Sequence, residues 1–311
     1  MSRSARLVGL RVVYVVVFSG RGGARWLTRS CFALTLVVVA VVVVTSDAEV
    51  VVTTPSGEQK TVPISYVEDS QSEPMKSRAE DESPFAGGGW IHVLDGDGND
   101  YQHCSAGFAI FKENPRVELM VTAAHCGKEG YTAWDGSDDA TLGTFLGWNN
   151  QGDDIQVIKG GTYNGRIYTG GVSSSTSKPV IGSAKPYKGQ VICVDGTRSG
   201  QICKAVVTDA SGTFSKTRPE TGYYYNQVAV KRVDGKALFG KGDSGGPVYS
   251  TSKKGLTVAG VISGGFKKYS TTCISEKGSS DNPRQCFSSG TVANIYSLYK
   301  DHPLYHTIKG K

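Results

Sequence analysis

The sequence predicts an all-β fold made of short strands, with a short helix near the carboxyl end. Glycine accounts for 40 of the 311 residues, and glycine-rich turns separate short apolar runs along most of the chain. This texture is typical of barrels and sandwiches rather than of helical proteins. Apolar residues show helical spacing at Ala293–Tyr299, which predicts the short helix.

The predicted strands begin where the composition changes at Phe85. Gly88–Leu94 and Gln102–Phe111 flank the polar stretch Asp95–Asp100, which has the composition of a hairpin loop. The spacing between consecutive predicted strands along the chain fits a barrel or a sandwich. The later predicted strands are Val117–Ala123, Thr144–Trp148, Asp154–Ile158, Gln190–Val194, Lys204–Thr208, Tyr223–Val233 and Leu256–Ser263.

The amino terminus has the pattern of an export signal. The apolar run Cys31–Val44 is 14 residues long and follows a basic stretch, whereas a membrane span needs roughly 20 apolar residues. Small residues at Ser46 and Ala48 predict cleavage after Ala48, so that residues 1–48 form a signal peptide and the protein is secreted. The alternative is an uncleaved amino-terminal anchor.

The rest of the chain divides by composition and is almost neutral. Residues 49–85 are polar and acidic, which predicts a propeptide or linker, and residues 86–311 form the predicted folded domain. Of the 34 basic and 28 acidic residues, six arginines and one aspartate lie in residues 1–48, so 28 and 27 remain. This balance argues against nucleic-acid partners and against stable membrane association.

Six of the seven cysteines lie beyond the signal peptide, where an exported protein can oxidise them. An even number permits complete pairing, with 15 possible connectivities. Their order along the chain favours pairs of neighbours. The six are Cys104, Cys126, Cys193, Cys203, Cys273 and Cys286.

The strongest motif is the six-residue string from Gly242 to Pro247, with Ser244 at its centre. A serine hydroxyl is a weak nucleophile until a base removes its proton, and the resulting oxyanion needs backbone N–H groups nearby. Flanking glycines allow the tight turn that brings those groups close to a substrate. We therefore predict Ser244 as a nucleophile.

The predicted base is His125, one of five histidines in the chain. It ends an apolar strand, follows small residues and precedes Cys126, which can anchor it. Imidazole suits this role because its pKa lies near neutrality.

A third residue must be a carboxylate that orients the imidazole. Asp154 opens an apolar strand that would carry it to the edge of the core, and strand alternation favours it over Asp153. The other candidates lie in a polar loop and are Asp135, Asp138 and Asp139.

Together these strings resemble the chymotrypsin-like serine peptidases, especially the bacterial streptogrisin and alpha-lytic branch. The resemblance covers about residues 86–300 and rests on the segments Thr122–Cys126, Gln151–Ile155 and Gly242–Pro247. It implies two six-stranded antiparallel β-barrels, over about residues 86–180 and 185–300. It further implies a catalytic triad of His125, Asp154 and Ser244, and an oxyanion hole formed by the N–H groups of Gly242 and Ser244.

The resemblance also implies disulfide pairing. Cys104 would pair with Cys126 behind His125, and Cys193 with Cys203 across a hairpin. The family's usual cysteine just before the serine motif is missing from Ala237–Lys241. Cys273 and Cys286 are therefore expected to close a local loop.

By the same resemblance, Leu238 lies at the base of the specificity pocket and Ser263, Gly264, Gly265 and Gly290 form its walls. An uncharged pocket with glycine walls is expected to be open. We therefore expect a preference for large apolar or aromatic residues before the cleaved bond.

Asp243 resembles an aspartate whose ion pair shapes the oxyanion hole in this family. A buried carboxylate needs a cationic partner. One alternative is an amino group freed by cleavage near Pro84, which would make the protein a zymogen. The other is Arg198 or a nearby lysine.

Two rival functions fit the sequence less well. An α/β-hydrolase requires the order Ser, Asp, His, and only His302 and His306 follow Ser244. A silent homologue acting as a binding protein would be expected to lack a triad residue. The pattern therefore predicts a monomeric endopeptidase that acts on proteins or peptides, with no cofactor and no metal.

Overall fold

The structure is a computed structural model that describes residues 48–53, 59–64, 73–147, 152–215, 223–273 and 284–310. Most of the predicted signal peptide, residues 1–47, lies outside the described residues. In the part of the chain that is described, no helix is both long and apolar enough to cross a membrane.

The first sheet contains eight antiparallel strands in the order β23-β7-β8-β11-β10-β9-β5-β6. Its bounds are β5 Trp90–Leu94, β6 Asp100–Ser105, β7 Ala109–Lys112, β8 Val117–Thr122, β9 Thr132–Trp134, β10 Thr141–Phe145, β11 Gln156–Gly160 and β23 Tyr305–Thr307. The predicted hairpin at Asp95 joins β5 to β6, and the carboxylate of Asp95 accepts the N–H groups of Asp97 and Asn99 at 2.9 Å each.

The second sheet closes into a barrel of six described strands in the order β18-β14-β15-β16-β22-β19, because β18 also pairs with β19. Strands β13, β12 and β4 continue from β19, and a small sheet forms from β17, β21 and β20. The bounds are β4 Phe85–Gly87, β12 Tyr163–Thr169, β13 Thr176–Ser183, β14 Val191–Gly196, β15 Gly200–Ser215, β16 Tyr223–Arg232, β17 Phe239–Gly240, β18 Pro247–Ser252, β19 Gly255–Gly265, β20 Ser270–Thr271, β21 Cys286–Phe287 and β22 Ser289–Asn294.

Helical structure is limited within these ranges to the α-helix α1, Ile295–Asp301, and two single 3₁₀ turns, Ala124–Cys126 and Lys267–Tyr269. The side chain of Asn294 caps α1 by accepting the N–H of Tyr296 at 3.0 Å. The predicted all-β class and the short carboxyl-terminal helix are confirmed. This architecture excludes the α/β-hydrolase alternative.

Each sheet encloses its own apolar core, and a third cluster draws on both. Ile91, Val93 and Met120 belong to the core of the first sheet, whereas Val228 and Val292 belong to that of the second. The shared cluster contains Ile110 and Val121 from the first sheet and Tyr249 and Val261 from the second. A site at the junction of the sheets therefore rests on closely packed side chains.

The segment before Phe85 is more ordered than its composition predicts. Strands β1, Ala48–Thr53, and β2, Gln59–Ile64, form a hairpin, and β3, Glu73–Pro74, pairs with β13. Asp81 is 4% exposed and accepts the Ala86 N–H at 2.9 Å and the Tyr168 hydroxyl at 2.8 Å. Polar contacts at Asp81 join this segment to β4 and β12, and composition gave no sign of them.

Burial raises the pKa of the Asp81 carboxyl to about 7. The folded protein therefore keeps a proton there that the unfolded chain releases near pH ~4. Between these values the folded state binds more protons, so the free energy of unfolding falls as the pH rises.

As the pH rises from ~4 to ~8, the free energy of unfolding should fall less in Asp81→Asn than in the parent, by about 1 kcal/mol or more. Urea unfolding of both proteins across this range, in a Ser244→Ala background that prevents self-cleavage, measures it. Parallel curves for the two proteins would contradict the raised pKa of Asp81.

Candidate active site

His125 and Asp154 meet because their strands are neighbours. His125 lies in the 3₁₀ turn just after β8, Asp154 lies just before β11, and these antiparallel strands pair Thr122 with Gln156. The imidazole Nδ1 lies 3.0 and 2.9 Å from the two carboxylate oxygens of Asp154, and Oδ1 also accepts the backbone N–H of His125 at 3.0 Å. Strand pairing therefore positions both the ring and its carboxylate.

The carboxylate of Asp154 is buried, and the hydroxyl of Ser263 also donates to it. The neighbouring Asp153 instead accepts the Asn226 amide at 3.0 Å. The structure thus places Asp154 beside the imidazole. Both aspartates precede β11 and Asp154 has φ +52°, so a turn rather than strand alternation directs its side chain.

Two of the remaining candidate carboxylates have partners away from His125. Asp135 accepts the N–H groups of Asp139 and Ala140 in its own loop, at 2.9 and 3.0 Å. Asp138 contacts His92.

Two glutamines that the sequence analysis missed hold the backbone around His125. Gln102 donates to the carbonyls of His125 and Cys126 at 2.5 and 2.6 Å. Gln156 donates to those of Ala124 and Gly127 at 2.8 and 2.7 Å. Gln156 is almost fully buried, and a polar residue inside an apolar strand was the available signal.

Ser244 lies in the turn between β17 and β18, and the first sheet holds its backbone. Its carbonyl accepts the Ser105 N–H at 2.7 Å and lies 3.7 Å from the sulfur of Cys126. Cys126 follows His125 in the chain and is bonded to Cys104. The backbone of Ser244 is therefore fixed beside the segment that carries His125.

The glycines around Ser244 are required by the shape of this turn. Gly242 has φ +92° and Gly245 has φ +82°, a region that favours glycine. A Cβ on Gly242 would lie 2.5 Å from Cδ of Arg198. Among the described residues, neither Gly242 N–H nor Ser244 N–H donates to a backbone carbonyl, so both suit the role of oxyanion donors.

The fully buried carboxylate of Asp243 accepts several hydrogen bonds and one ion pair. Oδ1 accepts the N–H groups of Arg198 and Ser199 at 2.9 and 3.0 Å. Oδ2 accepts the Gly240 N–H at 2.7 Å and forms an ion pair with Arg284.

The cation paired with Asp243 is thus Arg284, a residue that neither alternative named. Arg198 contributes its backbone N–H to the carboxylate. Phe85, which was expected to become the new amino terminus, is buried in β4 and pairs with Tyr163 of β12. Insertion of a freed terminus is therefore not needed to neutralise Asp243.

Arg284 is itself fixed on all sides. Its Nε donates to the carbonyl of Lys241 at 2.7 Å and its Nη1 to that of Arg198 at 2.8 Å. It lies inside the loop closed by the disulfide between Cys273 and Cys286, and its side chain is 3% exposed. No local motif distinguishes it from the other arginines of the chain.

All three expected disulfides are present. They join Cys104 to Cys126, Cys193 to Cys203 and Cys273 to Cys286. The sulfurs of Cys104 and Cys126 lie within 4.8 Å of a nitrogen of His125. Because these sulfurs are bonded to each other, they offer no thiolate to a metal ion.

The expected pocket walls are paired strands, since Gly265 of β19 pairs with Gly290 of β22. A Cβ on Gly265 would overlap the ring of Phe287, and one on Gly290 would lie 2.7 Å from Cζ of Phe239. Both rings are buried, as is Leu238. The chain's own phenylalanines therefore pack on the side of these glycines that a Cβ would occupy, and the expected open pocket stays a prediction. Gly264 differs, since a Cβ there would meet no atom within 4 Å.

Removing the Arg284 side chain should destabilise the fold. Arg284→Ala leaves the buried Asp243 without its cation, which typically costs about 3–5 kcal/mol. Urea unfolding in the Ser244→Ala background measures this loss. The matched control is Arg116→Ala, since Arg116 is 60% exposed in a surface pair with Glu118 and should change stability by under ~1 kcal/mol. Equal effects of the two substitutions would contradict the importance of the buried pair.

Comparison with known proteins agrees with this architecture. No protein-family model matches the chain, and no curated protein matches it. Among solved structures, protease A of Thermobifida fusca is similar at 20% identity with a TM-score of 0.51, over 72% of this chain and 98% of that one.

A second similar structure is a glutamic acid specific serine protease that uses a histidine triad in substrate binding. It matches at 20% identity with a TM-score of 0.50, over 71% of this chain and 99% of that one. At these identities the similarity concerns the fold alone. The chain has the chymotrypsin-like fold of the bacterial serine proteases.

Proposed function

We propose that the protein is a secreted serine endopeptidase with His125, Asp154 and Ser244 as its catalytic triad. The observation that carries the proposal is the contact of the buried Asp154 carboxylate with His125 Nδ1, next to the disulfide that packs against the Ser244 backbone. The similar solved structures are serine proteases, which supports the same class of reaction. Three disulfides and the amino-terminal sequence support export.

In the proposed reaction, Ser244 Oγ attacks the carbonyl carbon of the peptide bond while His125 Nε2 takes its proton. Asp154 accepts the Nδ1–H, which fixes the tautomer and stabilises the imidazolium. The N–H groups of Gly242 and Ser244 stabilise the tetrahedral oxyanion. His125 then protonates the leaving amine, and water hydrolyses the acyl-enzyme by the reverse sequence of proton transfers.

The alternative of a catalytically silent binding protein is less well supported. No residue of the proposed triad is missing from the sequence, and several contacts serve His125 and Asp154 rather than the core. Ser263 donates to the Asp154 carboxylate, and two glutamines hold the turn that carries His125. A binding protein would not need this support of an imidazole and its carboxylate.

For substrate preference, we propose small apolar residues before the cleaved bond rather than Phe or Tyr. The rings of Phe239 and Phe287 pack against the two wall glycines and reduce the room for a side chain. Leu238 and the rings make the base and walls apolar, which disfavours charged residues.

The first test is the triad itself. Ser244→Ala, His125→Ala and Asp154→Asn should each lower kcat on casein and on peptide substrates by about a thousandfold or more. Asp153→Asn is the matched control for Asp154→Asn and should leave kcat close to that of the parent. Near-parental activity in Ser244→Ala or His125→Ala would refute the triad. Loss of activity in Asp153→Asn with retention in Asp154→Asn would refute the choice of carboxylate.

The second test concerns the pocket. In a peptide series that varies the residue before the cleaved bond, Ala and Val should be preferred over Phe by about tenfold or more in kcat/KM. Phe239→Ala should shift the preference toward larger residues, because it removes the ring beside Gly290. A parent enzyme that prefers Phe, or a Phe239→Ala variant with an unchanged profile, would contradict this proposal.

A further inference from the structure

Arg78 lies in the segment that precedes the first barrel, yet it reaches the second one. Its side chain is 0% exposed, and Nη1 lies 2.6 Å from Oδ1 of Asp195, which is equally buried. The same nitrogen donates to the carbonyl of Gly196 at 3.3 Å. The hydroxyl of Tyr249 completes the surroundings by donating to Oδ2 of Asp195 at 3.2 Å. This pair is shielded from water and is therefore sensitive to the loss of either partner.

Asp195 lies next to the turn that joins β14 to β15, residues 196–200, and this turn surrounds the residues before Ser244. The N–H groups of Arg198 and Ser199 hold Oδ1 of Asp243 at 2.9 and 3.0 Å. The Thr197 hydroxyl donates to the carbonyl of Gly242 at 3.2 Å. The turn thus fixes the backbone on which the proposed oxyanion donors are carried.

The 196–200 turn cannot move away from Asp243 without losing contacts. Gly196 packs so closely on Asp243 that a Cβ there would overlap its carboxylate. The Thr197 N–H also donates to the Ser105 hydroxyl at 3.1 Å. A shift of Asp195 would therefore be transmitted to Asp243 through rigid contacts.

The segment that carries Arg78 is firmly attached. Met75 N–H donates to the carbonyl of Ser175 at 2.6 Å, and the Arg78 carbonyl accepts the Trp90 N–H at 2.8 Å. The carboxylate of Asp81 is buried against Ala86 and Tyr168. Removal of residues before Phe85 would extract a buried cation and leave Asp195 uncompensated.

We propose that Arg78 is a positioning residue for the oxyanion hole and that residues 75–84 are retained in the active enzyme. This inference rests on the proposed function. Arg78 acts through Asp195 and the 196–200 turn, and it contacts no reacting atom. The segment expected from composition to be a propeptide or linker is thus, in its last ten residues, part of the catalytic domain.

The test compares the full-length secreted protein with Arg78→Ala and Arg78→Lys. A fluorophosphonate that reacts with Ser244 counts the competent sites, so that kcat is expressed per folded molecule. We expect kcat to fall about tenfold or more in Arg78→Ala with KM changed less than about threefold, because misplaced oxyanion donors affect the transition state rather than substrate binding. Arg78→Lys should restore part of kcat, since its ammonium can pair with Asp195.

Lys76→Ala is the matched control, because Lys76 lies two residues away in an exposed pair with Glu82 and should leave kcat unchanged. If Arg78→Ala is not secreted, the double variant Arg78→Leu/Asp195→Asn removes both charges and takes its place. A purely structural role would lower the melting temperature and leave kcat per competent site unchanged, and that result would overturn the positioning role.

Retention of the segment is measured separately by the intact mass and amino-terminal sequence of the active parent enzyme. We expect a chain that starts at or before Met75. A fully active enzyme that starts at or after Phe85 would overturn the inference even if Ser244-dependent activity is present. A parent protein with neither hydrolysis nor fluorophosphonate labelling at Ser244 would instead overturn the proposed function and the kinetic role of Arg78 with it.

Discussion

The buried carboxylate of Asp243 is the constraint on which the rest of the site depends. A charge removed from water must be compensated by donors and by a cation, since otherwise it would cost several kcal/mol. Here the donors are the N–H groups of Arg198, Ser199 and Gly240, and the cation is Arg284. Because Asp243 lies between Gly242 and Ser244, the contacts that compensate its charge also determine the path of the backbone at Ser244, the proposed nucleophile.

Two buried ion pairs contact the 196–200 turn, which joins β14 to β15. Arg284 and Asp243 form one, and Arg78 and Asp195 form the other. Buried pairs contribute little net stability compared with apolar packing, but breaking one is costly, so they favour a single arrangement of the segments that they join. The segments joined here are residues 75–84, the 196–200 turn, the turn around Ser244, and the loop closed by Cys273 and Cys286.

The glycines of the site show why one residue type carries different information in different places. Gly242 and Gly245 have positive φ, and this backbone requirement can be inferred from their spacing around Ser244. Gly265 and Gly290 are small because the rings of Phe287 and Phe239 pack against them. A glycine in a sequence indicates a close neighbour without saying which one, and for that reason the two phenylalanines beside Gly265 and Gly290 were not predicted.

Local patterns were sufficient for the class of fold. Short apolar runs between glycine turns predict the strands. Asp154 contacts His125, but from a turn with φ +52° rather than from the strand that the sequence predicted. Neighbouring cysteines predict the three disulfides that the structure contains. These inferences succeed because the periodicity of a strand and the geometry of a turn depend on adjacent residues.

The partners of the buried charges depended on the tertiary structure. Arg284 and Asp243 are 41 residues apart in the chain, and Arg78 and Asp195 are 117 apart. An arginine has no local signature of burial, because its usual place is in solvent and its pairing requires that distant segments meet. The placement of Phe239 and Phe287 likewise depends on how β17 and β21 pack against the barrel. Sequence therefore determined the fold class and the candidate reactive residues, and only the folded chain decided which distant side chains contact them.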